Sequence, residues 1–147
     1  MPISDYCEKP VASIGAEETV RAAAQRMRLA GLGSLPVVKD GRAIGIITDR
    51  DLALETLCKR LDPNAVRVEE VASRSLVTIE QNASVREAVR LMRRHALRRL
   101  PVVDEKQQLV GIVSSDDLVS LIAGELSGVV LAIRAQAPAS GLQRSES

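Results

Sequence analysis

Two stretches of this sequence are copies of each other, and a duplicated chain has few folds open to it. Residues 6–38 align with residues 71–103 at an offset of 65, with eleven identities in thirty-three positions. The identities end in an unbroken run, Leu-Pro-Val-Val, at 35–38 and again at 100–103. The offset then becomes 66, because the second copy has one more residue at a turn, where insertions are tolerated. We therefore expect one structural unit to occur twice.

The periodicity of apolar residues predicts the first half of each unit. The runs at 11–14 and 76–79 contain β-branched residues and are typical of short strands. Thr19 and Ser84 then stand directly before apolar residues at helical spacing. A hydroxyl at that position caps the first free N–H groups of a helix. Each unit therefore begins with a strand and a capped helix.

A hairpin and a second helix complete the unit. Residues 35–38 and 43–47 flank an Asp-Gly turn, which is a strong hairpin signal. The second copy repeats this arrangement at 100–103 and 109–113 with a longer loop. A helical pattern follows each hairpin, so the predicted order is β-α-β-β-α, twice.

The size of the unit predicts how the two copies are arranged. A unit of about 55 residues buries too little surface to be stable by itself. We therefore predict an α/β (α+β) fold in which two tandem βαββα repeats, at 3–61 and 66–126, pack sheet to sheet with pseudo-twofold symmetry around one shared core. Residues 127–147 form a C-terminal extension, whose small and polar residues after about 137 predict a disordered end.

Composition argues against several classes of function. The chain carries 20 basic and 19 acidic residues, and Tyr6 is its only aromatic residue. Balanced charge gives no general attraction for nucleic acid, and the lack of aromatic residues removes the surface on which the bases of single strands stack.

The chain has two cysteines, Cys7 and Cys58, which are too few for a disulfide framework, so we expect reduced thiols. No run approaches about 18 apolar residues and the N-terminus lacks a signal-peptide pattern, so we expect a cytoplasmic protein without a membrane partner.

The candidate functional motif is Gly-x-x-Thr/Ser-x-x-Asp, which follows each hairpin. It places Thr48 three residues before Asp51 in the first copy, and Ser114 three residues before Asp117 in the second. A hydroxyl followed at this spacing by a carboxylate predicts a capping box at the start of a helix. The same place suits a nucleotide, because a helix N-terminus attracts phosphate and a carboxylate accepts hydrogen bonds from ribose hydroxyls. The two interpretations are compatible.

Repeated βαββα units with Leu-Pro-Val-Val before the hairpin and Gly-x-x-Thr/Ser-x-x-Asp after it resemble a tandem pair of CBS (cystathionine β-synthase) domains, also called a Bateman module. The resemblance covers residues from about 3 to 126. It implies a regulatory, energy-sensing module whose ligand is an adenine nucleotide: AMP, ADP or ATP. It also implies that Thr48, Asp51, Ser114 and Asp117 contact the ribose and phosphate. The base would lie among apolar residues of the first strand and the Leu-Pro strand, namely Ala12, Val77, Leu35, Pro36, Leu100 and Pro101.

A basic cluster distinguishes the second copy from the first. Its members precede the second Leu-Pro strand and are Arg86, Arg90, Arg93, Arg94, Arg98 and Arg99. Charged residues mostly form solvated surface, but the resemblance implies that Arg98 and Arg99 meet nucleotide phosphates, which the planar guanidinium binds well. The first copy has Gly33 and Ser34 there, so we expect unequal clefts. His95 is interpreted as an exposed helix-end residue or, when protonated, as a phosphate contact.

The sequence contains no nucleophile paired with a base, no metal-ligand spacing and no P-loop, so we predict neither an enzyme nor a required cofactor or metal. The leading hypothesis is a module that binds an adenine nucleotide and signals its occupancy to a regulated partner protein. S-adenosylmethionine and NAD(H) are also candidate ligands. Two alternatives stay open: a dimerisation or docking module without a nucleotide, and an arginine cluster that binds RNA or DNA. The resemblance further implies a homodimer, with candidate contacts at Leu52, Leu57, Leu118, Leu121 and Ile122.

Overall fold

The computed structural model describes residues 2–9 and 11–146, with side chains described as far as Ala135. A 3-10 helix at Ile3–Tyr6 leads into the first copy. That copy consists of β1 (Ile14–Gly15), α1 (Val20–Ala30), β2 (Ser34–Lys39), β3 (Arg42–Thr48) and α2 (Asp49–Leu52), followed by a π-helix at Ala53–Leu57. A short helix, α3 (Val68–Val71), leads into the second copy, which consists of β4 (Ile79–Glu80), α4 (Val85–His95), β5 (Arg99–Val103), β6 (Leu109–Ser114) and α5 (Ser115–Glu146).

The predicted βαββα order is confirmed in both copies. Each copy forms a three-stranded sheet, with strand orders β1-β2-β3 and β4-β5-β6. The first strand is parallel to the second and the hairpin is antiparallel in both sheets. Ile14 pairs with Val37 and Ile79 with Val102, so the duplication of the sequence appears as equivalent registers. The first strands are shorter than predicted, since only two residues of each pair with the neighbouring strand.

The predicted caps of α1 and α4 are confirmed. The Thr19 hydroxyl accepts a hydrogen bond from the Ala22 N–H at 3.2 Å, and the Ser84 hydroxyl accepts one from the Glu87 N–H at 3.1 Å. Each satisfies one of the N–H groups that a helix leaves free at its start. These caps fix where each helix begins relative to the sheet that it covers.

Most of the buried hydrophobic residues form two clusters, one for each sheet. The prediction of one shared core is therefore wrong in this respect, although the repeated fold itself is confirmed. Met27 and Val37 belong to the first cluster, and their counterparts Met92 and Val102 belong to the second. Two cores are possible because the first helix of each copy covers its own sheet, and a segment from outside the copy adds a further buried side chain.

These outside segments are exchanged between the copies. Ile3, from the N-terminal 3-10 helix, is fully buried in the second cluster, and its N–H donates to the Ala83 carbonyl at 2.7 Å. Val68, from α3, is fully buried in the first cluster, and its N–H donates to the Glu18 carbonyl at 2.8 Å. The boundaries 3–61 and 66–126 therefore follow the repeat along the chain, whereas each core also contains the segment that leads into the other repeat.

The last helix differs from the expectations. Its bounds, Ser115–Glu146, include the segment after about 137 that composition predicts to be disordered. The side chains there lie outside the described part, so that expectation stays a prediction.

The expectation that no segment could span a bilayer is wrong: Ser115–Ala135 is long and apolar enough, judged by length and composition only. The expectation rested on the absence of a long unbroken apolar run. Serines and glycines interrupt the apolar residues of this helix, but they lower its average hydropathy only slightly.

Candidate functional site

The predicted site residues of the second copy meet where β5, β6 and α5 join. Arg99 pairs with Ser114 across the antiparallel hairpin. The N–H of Ser115, the first residue of α5, donates to the Arg98 carbonyl at 2.7 Å. The strand register and this bond together bring the Arg98–Arg99 pair to the N-terminus of α5, where free N–H groups favour an anion.

Asp117 lies on the first turn of α5 and keeps part of its carboxylate unused. Its backbone N–H donates to the Ser114 hydroxyl at 3.1 Å, so Ser114 caps the helix as predicted. The Asp117 Oδ2 atom is buried and has no hydrogen-bond partner among the described residues. An unpaired buried acceptor is costly, and most such groups in native proteins are satisfied by a protein group, water or a ligand. This oxygen is therefore an open acceptor in the first turn of the helix whose start adjoins the backbone of Arg98 and Arg99.

The first copy uses the same motif differently. The Thr48 hydroxyl accepts from the Asp51 N–H at 3.0 Å, and the Asp51 Oδ2 atom accepts from the Thr48 N–H at 3.0 Å, which is a complete capping box. The Asp49 N–H donates to the Gly33 carbonyl at 2.9 Å, the counterpart of the Ser115–Arg98 bond. The Asp51 carboxylate is engaged, and the counterparts of Arg98 and Arg99 in this copy are Gly33 and Ser34. The two motif sites are therefore unequal.

The arginine cluster is mostly free of ion pairs. Arg90 bonds to Glu87 at 2.8 Å, and no ion pair of another cluster arginine occurs within the described residues. Arg98 is exposed and Arg99 is half-buried. His95 is exposed at the last turn of α4. The cluster therefore contains arginines without an ion pair among the described residues, and two of them, Arg98 and Arg99, adjoin the start of α5 through their backbone.

The apolar candidates occupy the cores instead of an open cleft. Leu35 and Leu100 are fully buried, each in the hydrophobic cluster of its own copy, so their side chains have no surface for a ligand. The Leu-Pro strand is the central strand of its sheet. The assignment of these two residues as base contacts stays a prediction. Pro36 and Pro101 are also buried. The partly buried Ala12 and Val77 are packed against the same clusters.

Two neighbours of the motif were not predicted from the sequence, and both belong to the exchanged segments. Glu8 pairs with Ile112 of β6, and Ser73 pairs with Ile46 of β3, so each segment runs beside the strand that leads to the motif. The glycine of the motif permits this approach. A Cβ at Gly111 would lie 2.2 Å from the Cys7 sulfur, and one at Gly45 would lie 2.5 Å from the Ser73 carbonyl oxygen. The paired glycines were the signal in the sequence, but they do not say which segment approaches.

A cleft of about 340 Å³ lies elsewhere, at the end of β1 and β2. Glu18 lines it, but both of its carboxylate oxygens bond to Arg26 at 2.9 Å, and Oε2 also accepts from the Gly15 N–H at 2.7 Å. The hydrogen bond from Arg26 is the main cause that lowers the pKa of Glu18, and the bond from Gly15 adds to it. This carboxylate is already satisfied. Within the described residues, no group of three or more His, Cys, Asp or Glu side chains could hold a metal ion.

Comparison with known proteins identifies the family. The CBS domain family matches residues 3–56 and again residues 68–124. Hypoxic response protein 1 of Mycobacterium tuberculosis is 40% identical over 115 residues, which are 78% of this chain and 80% of that protein. The CBS domain-containing protein YhcV of Bacillus subtilis is 38% identical over 130 residues, which are 88% of this chain and 91% of that protein.

Solved structures share the fold. The crystal structure of Hypoxic Response Protein I with two coordinated zinc ions has a TM-score of 0.74 at 37% identity, and the match covers 82% of this chain and 98% of that chain. The CBS domain pair of protein MJ0100, in complex with 5-methylthioadenosine and S-adenosyl-L-methionine, has a TM-score of 0.71 at 28% identity, covering 85% and 98%. With two family matches in tandem and one three-stranded sheet in each, this chain belongs to the CBS domain family and is a tandem CBS pair.

Proposed function

We propose that this CBS pair is a regulatory module that binds an adenine nucleotide at the β5–β6–α5 junction and signals its occupancy to a partner protein. The observation that carries the proposal is the buried Oδ2 atom of Asp117, which has no partner among the described residues and lies in the first turn of a helix whose start adjoins the backbone of Arg98 and Arg99. A site of this composition needs a ligand with hydroxyl donors and an anionic group at some distance from each other. A nucleotide has both.

The proposed contacts follow from the chemistry of each group. Ribose hydroxyls donate hydrogen bonds to the Asp117 carboxylate, as they do to acidic residues in dinucleotide sites. The phosphate meets the guanidinium groups of Arg98 and Arg99, which bind phosphate oxygens in a planar fork. The positive end of the α5 dipole adds to this attraction. The ligand acts by its difference in affinity between two arrangements of the module, so the module itself performs no reaction.

Related proteins support the ligand class and the regulatory role. The MJ0100 pair, which was crystallised with S-adenosylmethionine and methylthioadenosine, has the same fold, and both of these ligands contain adenosine. Relatives such as YhcV match this chain over nearly their whole length, which favours a free-standing regulatory module over an enzyme. We extend this class to AMP, ADP and ATP, and we propose a homodimer in the cytoplasm without a required cofactor or metal.

Calorimetry with Asp117→Asn tests the site. AMP, ADP, ATP, S-adenosylmethionine and NADH are titrated separately into the full chain. We expect the variant to bind the preferred ligand at least about tenfold more weakly, because a hydrogen bond to a charged group contributes about 1.5–3 kcal/mol. We expect its stability to change by less than about 0.5 kcal/mol, because no N–H in the described chain donates to the Asp117 Oδ2 atom.

Asp51→Asn is the matched control, because it removes the same charge from the first copy. We expect it to leave nucleotide affinity unchanged, since Asp51 is engaged in its capping box. If no ligand gives heat at concentrations up to about 1 mM, the nucleotide proposal is wrong. If Asp117→Asn binds as well as the unmodified chain, the assigned site is wrong.

The complete capping box of the first copy favours a second candidate function for that copy. Thr48 and Asp51 are bonded to each other. The motif in the first copy therefore stabilises the start of α2 without a ligand. A docking or dimerisation role without a nucleotide would then account for the first copy. Calorimetry that finds one binding site per chain agrees with this division of roles, and two equal sites would contradict it.

A further inference from the structure

The outer face of α4 carries a ridge of arginines. These residues lie on the side of the helix opposite the buried Ala88 and Met92, and all of them are exposed. We call this face the arginine ridge, and its members are Arg86, Arg90, Arg93 and Arg94. The ridge therefore presents four positive charges to solvent along about 12 Å of helix.

The duplication shows that the fold does not require this ridge. α1 and α4 have the same length and the same kind of cap, and each buries an alanine and a methionine at equivalent positions. Gln25 of α1 stands at the position of Arg90, and Leu29 stands at the position of Arg94. An equivalent helix covers an equivalent sheet without these two charges, so packing does not explain them.

Within the chain, the arginines of the ridge repel one another. Arg90 has arginines four residues before it and three and four residues after it, and like charges at these spacings destabilise a helix. The helix dipole favours positive charge only in the last turn, where Arg93 and Arg94 lie. Among the described residues, the ridge forms one ion pair, between Arg90 and Glu87 at 2.8 Å. A partner of opposite charge would remove the remaining repulsion.

Positive charge is concentrated in this part of the chain. Residues 85–99 contain six arginines and one glutamate, whereas the rest of the chain contains 14 basic and 18 acidic residues. The total charge of +1 is therefore the sum of a positive segment and a negative remainder. A nucleic-acid duplex or an anionic bilayer is an extended polyanion, which would bring phosphates against the negative remainder as well as against the ridge. A short anionic segment can lie along the ridge alone.

The ridge also borders one apolar side chain. Val89 is 41% exposed and lies three residues after Arg86 and four before Arg93, so it neighbours both on the helix surface. One aliphatic side chain is too little for the apolar face of a membrane-binding helix, and the ridge has no aromatic residue on which a base could stack. It suits a peptide that combines carboxylates with an apolar residue, since arginine binds carboxylates in a planar fork.

The neighbouring helix α5 presents a different kind of surface. Leu118, one of the predicted dimer contacts, is buried in the second cluster instead. Five aliphatic side chains along one side of α5 are 50–64% exposed and are covered by none of the described residues: Val119, Ile122, Leu126, Val129 and Ile133. Apolar surface attracts apolar partners, whereas the ridge attracts anions, so the two helices fit different partners.

We propose that the arginine ridge of α4 is a docking surface, and that its occupant is an acidic segment of a partner protein. The proposal rests on the proposed function in one respect, because it gives the partner of that function a surface. It does not require a bound nucleotide, so the two hypotheses can fail separately.

Fluorescence anisotropy of a labelled peptide tests the proposal on the full chain. The probe has about eight glutamates around a central leucine and spans roughly 30 Å when extended, which is enough to cover the ridge. We expect it to bind the unmodified chain with a dissociation constant below about 1 mM in about 0.15 M salt. We expect Arg86→Glu combined with Arg93→Glu to weaken binding by about tenfold or more, because two attractive contacts become repulsive.

Arg21→Glu combined with Arg28→Glu is the matched control, because these exposed arginines hold the same positions in α1 and the net charge changes equally. We expect it to change the affinity by less than about twofold. Circular dichroism first establishes that both variants are folded. If the ridge variant is unfolded, Arg86→Gln combined with Arg93→Gln replaces it, with binding expected to weaken about threefold. Equal weakening by the ridge variant and the control, or no binding to the unmodified chain, would overturn the proposal.

Duplex DNA, single-stranded RNA and vesicles of phosphatidylcholine and phosphatidylglycerol are compared with the peptide in the same buffer. We expect each to bind more weakly than the peptide. Tighter binding that is lost in the ridge variant would overturn the proposal in favour of that polyanion. Calorimetry with nucleotides keeps the two hypotheses separate. A chain that binds the peptide but no nucleotide contradicts only the nucleotide proposal, and a chain that binds a nucleotide but not the peptide contradicts only the docking surface.

Discussion

Ala96 ends α4 in the left-handed region of backbone conformation, with φ of 53°, where the first copy has Gly31 with φ of 66°. A residue with a Cβ is disfavoured there by roughly 1–2 kcal/mol, whereas glycine adopts the conformation freely. We expect Ala96→Gly to raise the free energy of unfolding by about 0.5–1 kcal/mol, after the larger chain entropy of glycine in the unfolded state is subtracted. Urea denaturation measures the change.

Ala24→Gly serves as the control for this substitution. Ala24 is exposed inside α1, where its backbone is helical, so we expect glycine to lower stability by about 1 kcal/mol. Opposite signs for the two substitutions would identify the backbone conformation as the cause. A loss of stability in Ala96→Gly would contradict the argument.

At the scale of elements, Glu18 and Arg26 connect α1 to the turn that precedes it. Arg26 also donates to the Ser13 carbonyl at 2.8 Å, so the pair holds β1, the turn and the helix together. Because the pKa of Glu18 is lowered in the folded state, mainly by the hydrogen bond from Arg26, its contribution to stability is present above the unfolded pKa of about 4.3 and is lost as pH falls through the folded pKa.

We therefore expect Glu18→Gln to melt at a lower temperature than the unmodified chain at pH 7. The difference should shrink towards zero as the pH falls to about 3, because protonation removes the same charge. Thermal melts across this range measure it. Glu17→Gln is the control, since Glu17 is exposed on the same turn and forms no ion pair within the described residues. A difference for Glu18→Gln that persists to pH 3 would show that its cause is not electrostatic.

At the scale of the whole molecule, the exchanged segments make each core depend on residues far away in the chain. We expect Ile3→Ala, although it lies at the N-terminus, to lower the free energy of unfolding by about 2–5 kcal/mol, as for a buried core residue, because Ile3 is fully buried among residues of the second copy. Urea denaturation of the full chain measures the loss, and Leu29→Ala, at an exposed leucine of α1, should have little effect. A change below about 0.5 kcal/mol in Ile3→Ala, the size of ordinary surface substitutions, would mean that the exchanged segment is not part of the second core.

Several features were predictable from local sequence because their physical causes are local. Thr19 and Ser84 cap helices through N–H groups three residues away, and the Asp-Gly turn defines the first hairpin through its own backbone preferences. The duplication followed directly from identities at a constant offset. Leu35 and Leu100 show where this reasoning stopped. Their apolar character predicted burial, but whether a ligand or a protein core buries them depends on which strand stands at the centre of the sheet.

The sequence by itself determined the repeated βαββα unit, the positions of its caps and turns, and the motif that places Ser114 and Asp117 at the start of a helix. Only the tertiary structure decided which core each leading segment completes, that the Asp51 carboxylate is engaged while one oxygen of Asp117 stays open, and that one face of α5 is covered by none of the described residues. The physical reason is the range of the interactions. Caps and turns form between residues a few positions apart, whereas burial and the loss of water from a carboxylate depend on residues that only folding brings together.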